Sequence, residues 1–153
     1  MVVRPKAELD TVDVGLAPNI KDSLGSGADP STNAVVAWLV DQLFERNKMS
    51  GTKKAPQLSL ASSATNGYVV DYDSKYGKYF RNDGGSWARF YEENPKARGI
   101  VTISLPAYDD KTGLALVYRG THEHGLRGWG EVILYKYEKG KLRKLNSTTL
   151  WIA

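Results

Sequence analysis

The last third of the chain, Gly99 to Ala153, constrains the architecture most. It reads as consecutive antiparallel strands, interrupted by Gly125-Leu126-Arg127-Gly128-Trp129-Gly130. Gly99 to Leu105 and Leu114 to Arg119 have the β-branched and aliphatic content of strands. Asp109 to Gly113 is a tight turn, since Asp and Thr side chains bond nearby backbone and Gly frees it. Residues 122–128 are expected to form a loop. Trp129 to Tyr137 is a long strand, Lys139-Gly140 a hairpin turn, and Lys141 to Ile152 the closing strand. Leu142, Leu145 and Trp151 are its candidate core residues.

Helical spacing appears earlier. Val36, Leu39, Val40, Leu43 and Phe44 fall on one face of an unbroken run, 34–46, widened by Val35 and Trp38. Asp29 can cap this helix, and Pro30 suits its first turn. A second short helix fits 86–94, capped by Ser86, with Trp87, Phe90 and Tyr91 on one face and Asn94-Pro95 as its stop. Residues 1–29 are expected to be an irregular arm, with Val12, Val14 and Leu16 as an edge strand. Leu58 to Ala61 and Tyr68 to Tyr72 have strand character, and residues 75–80 suit a strand or an irregular aromatic segment. Helix first and strands after give an α+β class. The expectation is a curved antiparallel sheet of four to six strands on one N-terminal helix, with the second short helix at its side. Residues 30–153 then form a single domain.

Composition excludes several chemistries. The 153 residues contain no cysteine, which removes thiolate catalysis, disulfides and thiolate zinc sites. No run approaches the roughly 18 apolar residues of a membrane span. The net charge of +4 gathers at Lys136, Lys139, Lys141, Arg143 and Lys144, around the final hairpin. Such a run reads as a solvated edge that discourages strand pairing, so a monomer is expected and nucleic acid is not the expected partner.

His122-Glu123-His124 invites a metal reading. In an extended chain the two imidazoles point the same way about 7 Å apart, wider than cis ligands on one zinc span. No metal and no cofactor are therefore assigned. Gly125, Gly128 and Gly130 precede a strand, not a helix, and match neither a Walker loop nor a dinucleotide fingerprint. Close backbone approach or a bulge explains them better. Ser104 with His122 or His124 and Asp109 lacks the Gly-x-Ser-x-Gly elbow. The pairs Glu92-Glu93 and Asp109-Asp110 lie on a helix surface and in a turn. No catalytic residue is assigned.

Trp87 to Pro95, Gly99 to Ser104, Ala115-Leu116-Val117-Tyr118, Gly125 to Gly130, Lys136, Gly140 and Trp151-Ile152 together resemble a group of uncharacterised bacterial proteins, often exported. Helix 34–46 is similar to their N-terminal helix. The chain departs from the group at Ala107-Tyr108-Asp109, where many members read Gly-Phe-Asn, and at Leu142, where Trp is usual. The resemblance carries no activity with it. It implies a periplasmic or secreted location.

Nine tyrosines and four tryptophans supply the clearest binding signal. The expectation is a non-enzymatic binding or interaction module of a bacterial protein, with an unknown protein or small-molecule ligand. Its candidate residues are Tyr108, Arg119, His122, Glu123, His124, Arg127 and Trp129. One alternative is a small enzyme with a pocket between sheet and helix. Another is an immunity or inhibitor protein of a toxin pair.

Overall fold

The computed structural model describes residues 2–4, 15–48, 68–80 and 86–153. The elements are β1 (Val2–Arg4), α1 (Ala17–Gly25), α2 (Pro30–Asn47), β2 (Val69–Val70), a 3-10 helix (Lys75–Phe80), α3 (Trp87–Glu93), β3 (Ile100–Ile103), β4 (Ala107–Asp109), β5 (Leu114–His124), β6 (Arg127–Glu138) and β7 (Lys141–Ile152). The molecule is α+β. One sheet runs β2-β1-β3-β5-β6-β7, with β4 also paired to β5.

The body of the sheet is antiparallel, and its edge is not. β1 pairs in parallel with both β2 and β3, giving seven strands among the described residues where four to six were expected. Both parallel partners lie far along the chain from β1, which leaves room for the crossover that parallel pairing requires. Alternation within a short segment cannot reveal such a pairing.

The arm expected at 1–29 also differs. It contributes β1 and then α1, which buries Ile20 and Leu24. Pro18 lies in the first helical turn, where its missing N–H costs nothing, and Gly25 ends the helix. Both residues mark the limits of this helix. Val12 and Val14 of the expected edge strand lie outside the described residues, as does the strand at 58–61, whereas Leu16 takes helical dihedrals at the N-cap of α1 and belongs to no strand.

α2 follows the sequence closely. Asp29 accepts from the Ser31 and Thr32 backbone N–H groups at 3.0 and 3.1 Å, and Val36, Leu39, Val40, Leu43 and Phe44 are buried. Trp38, expected to widen the apolar face, is 47% exposed. These residues pack with Ile20 and Leu24 onto Ala107, Leu114, Leu116, Tyr118, Val132 and Leu134. A second cluster joins Tyr76, Tyr79 and Phe90 to Val2 and Ile100. The Asp71 carboxylate accepts from the Lys75 N–H at 2.9 Å at the start of the 3-10 helix, so residues 75–80 are helical and not a strand.

Along β5, Leu114, Leu116, Tyr118 and His122 point to the helix-bearing face. Arg119, Thr121 and the residues registered with them point to the other. No described helix packs on that second face.

Leu142 and Leu145 are 58% and 40% exposed, contrary to their expected core role. β7 is an edge strand whose register to β6 slips twice. The slips leave Leu145 and Leu150 without direct partners, and it is Leu150 that packs on the core.

Candidate functional site

The sheet divides the seven candidate residues. The expected loop at 122–128 is mostly strand: β5 runs through His124, and β6 begins at Arg127. Pairing jumps from His122↔Gly128 to His124↔Arg127, so Glu123 is the extra residue of a bulge. Glu123 lines a groove on the helix-free face, whereas His122 and His124 line a cavity on the helix-bearing face.

The groove has a volume of about 440 Å3. Val3, Val101, Ile103, Tyr68 and Trp129 form its apolar walls, with Arg119, Thr121 and Glu123 as polar members. Register explains the grouping: Val3 faces Val101, Val101 faces Thr121, Ile103 faces Arg119, and Thr121 faces Trp129.

Arg119 lies opposite Glu131 on β6 and donates from Nη2 to its carboxylate. Lys144 Nζ approaches the other Glu131 oxygen at 3.6 Å. Burial pushes the Glu131 carboxyl up, but the Arg119 hydrogen bond and the charges of Arg119 and Lys144 outweigh it. The group is held below its ordinary value. The Arg119 Nε–H is buried and has no hydrogen-bond partner among the described residues. At the far end Arg127 pairs with Glu123 at 2.8 Å, and the Tyr91 hydroxyl donates to the Glu123 carbonyl.

Tyr108 shares the groove's face but pairs with Ala115, four residues from Arg119 along β5. At ~3.3 Å per residue that is about 13 Å away, outside the groove. Arg119, Glu123, Arg127 and Trp129 are thus brought together, and Tyr108, His122 and His124 are not.

The glycine-rich segment has a definite task on the helix-bearing face. Trp151 lies across Gly130, where a Cβ would overlap its indole. A Cβ on Gly128 would stand 2.8 Å from the Thr121 carbonyl and 3.2 Å from the Trp151 ring. The indole donates to the Tyr118 hydroxyl at 3.0 Å and stacks near the His122 ring, centroids 4.9 Å apart. Close approach, the expected reason for these glycines, takes the form of a bed for one tryptophan.

Much of the aromatic signal is structural. Tyr76, Tyr79, Phe90 and Tyr118 are buried. The Ser104 hydroxyl accepts from the Tyr118 backbone N–H at 2.9 Å, and Asp109 accepts from the Thr112 N–H at 2.9 Å within its turn. Among the described residues, no three His, Asp or Glu side chains gather as metal ligands. Val101, Ile103 and Thr121 were missed as lining residues, although their phase with Arg119 and Trp129 follows from pairing β3, β5 and β6. Val3 and Tyr68 carried no such signal, because they reach the groove through the edge of the sheet.

No protein-family model matches the chain, and no solved structure does. The chain is similar to a probable chloride channel protein of Mycosarcoma maydis, 28% identical over 90 residues. That match takes in 55% of this chain and 8% of the channel protein. Among the described residues, no helix is long and apolar enough to cross a membrane.

Proposed function

We propose that this chain is a non-enzymatic binding module whose helix-free sheet face takes a small amphiphilic ligand, an apolar or aromatic body with one anionic head. The observation that carries this reading is the position of Arg119, which lines a groove of about 440 Å3 among apolar walls and whose buried Nε–H has no partner among the described residues. That volume lies within the usual range for small-molecule sites, which combine apolar walls with a few polar groups.

Charge supports an anionic head. Among the described residues, Arg119, Lys144 and Arg127 pair with Glu131 and Glu123, leaving one cation in excess. The guanidinium fork suits a carboxylate or sulfonate. The same pairing disfavours catalysis. Glu131 is held below its ordinary value, so it does not stand as a proton donor at neutral pH, and Glu123 is engaged with Arg127.

A suitable probe is 1-anilinonaphthalene-8-sulfonate, followed through the Trp129 indole N–H resonance. Saturable movement of that resonance is expected, with affinity falling about tenfold in Arg119→Leu. Equal binding of the uncharged 2-naphthol, or a Trp129 signal that stays still, would remove the basis for the reading.

A further inference from the structure

We infer that the tip of the β6–β7 hairpin is a docking surface for an anionic lipid bilayer, independent of the groove and its ligand. Every residue from Tyr137 to Leu145 is exposed. Between Lys136 and Lys144 the chain sets Lys136, Lys139, Lys141, Arg143 and Lys144 against Glu138 alone, a net charge of +4. The whole chain carries the same +4, so the remainder is neutral by count. Lys144 leans toward Glu131, and Lys136 donates to the Thr112 carbonyl. Lys139, Lys141 and Arg143 form no ion pair among the described residues.

Charge alone would describe a solvated edge. What sets this tip apart is the apolar pair within it. Tyr137 faces Leu142 across the two strands, 51% and 58% exposed, on the side where no described helix packs. Lys136 faces Arg143 on the opposite side, in phase with Leu114. Lys139 stands in the turn itself. The end of the hairpin is therefore amphipathic. An element lying in a lipid–water boundary puts apolar side chains at the acyl edge, while lysines and arginines reach the phosphates. Tyrosine favours that same depth.

The molecule contains its own comparison. The β5–β6 turn, at the other end of β6, also exposes a leucine, Leu126, but there Arg127 is paired with Glu123. Of these two hairpin ends, the β6–β7 tip combines exposed apolar groups with surplus cations. An acidic protein strand fits that tip less well. The register of β7 slips on both sides of the stretch 146–149, which denies an added strand a long regular ladder. A second copy of the chain would bring like charge to like.

The test titrates the full-length protein with phosphatidylcholine vesicles carrying about one third phosphatidylserine, and with phosphatidylcholine alone, at about 0.1 M salt. Co-sedimentation should show saturable binding to the anionic vesicles only. Each cation at such a surface is worth about fivefold, so Lys141→Gln with Arg143→Gln should weaken binding about twentyfold. Leu142→Ser should weaken it about fivefold. All three positions are exposed, so none of these changes threatens the fold. The chain has no cysteine, so a nitrobenzoxadiazole label introduced through Leu142→Cys or Leu126→Cys occupies one position. The label at position 142 should brighten and shift to the blue on anionic vesicles, and the label at position 126 should not. Absence of binding, equal binding to neutral vesicles, a response at 126 without one at 142, or undiminished binding of the double variant overturns the inference. So does polyglutamate or duplex DNA bound more tightly than anionic vesicles at equal charge concentration, which would make the tip a protein or nucleic-acid surface.

Discussion

Single residues carry more of this fold than their type suggests. Gly130 is the sharpest case, because its missing Cβ is the space that the Trp151 indole fills. Gly130→Ala should cost about 1–3 kcal/mol, the usual penalty for forcing extra volume into a packed site. The mechanism is specific, so the cost should shrink by at least ~1 kcal/mol in a Trp151→Val background, as a double-mutant cycle by urea denaturation would read. An unchanged cost would place the strain elsewhere. Asn47 is a quieter case. Its amide donates to the Leu43 and Leu105 carbonyls at 2.8 and 2.9 Å, and its carbonyl accepts from the Leu105 N–H at 2.8 Å. It ties the end of α2 to the chain between β3 and β4. Asn47→Leu leaves the part-buried Leu105 groups unmatched and should cost about 1–3 kcal/mol, measurable as a lowered urea midpoint. Neither role was legible beforehand. Glycines at a strand entrance announce close approach but not the visitor, and an Asn after a helix reads only as its end. Arg119 and Trp129, candidates because aromatics beside arginines can bind, do line one groove.

At the scale of elements, legibility followed the range of the signal. α2 and α3 were readable because cap, period and stop all lie within one segment: Asp29 and Ser86 accept from the first-turn N–H groups as expected. β5, β6 and β7 were readable because hairpins join neighbours. The β6–β7 turn shows the local logic, with Lys139 at φ +51° and Gly140 at φ +75°. Two successive positive φ values belong to a type I′ turn, where a lysine is strained and asparagine is favoured. Lys139→Asn should therefore raise stability by about 0.5–1 kcal/mol, seen as a higher thermal midpoint. A fall would mean that the lysine contributes something beyond charge. What could not be read was long-range. The parallel edge, and the bulges that turn Leu145 outward and Leu150 inward, depend on partners that no local pattern names. The split of Glu123 from its histidine neighbours, by contrast, is ordinary strand alternation and was legible in an extended reading of 122–124.

Across the whole molecule, acid is the perturbation that reaches every layer at once. Glu93 accepts from the Tyr79 hydroxyl, from Arg89 and from Lys78, joining the 3-10 helix to α3. These bonds, the Tyr79 one foremost, lower its pKa from the ordinary 4.5 to about 2. Hydroxyls of Ser31 and Thr32 lower Asp29 at the cap of α2, and Thr112 lowers Asp109 in the β4–β5 turn. Glu131 is lowered in spite of its burial. Each carboxyl has a folded value below its unfolded one. The stability they confer is therefore complete above about pH 4.5 and is lost as pH falls through the folded values toward about 2. Urea midpoints should stay level between pH 7 and 5, then fall steadily below about pH 4.5. Glu93→Gln should start lower at pH 7 and fall less steeply, so that the two proteins converge near pH 2.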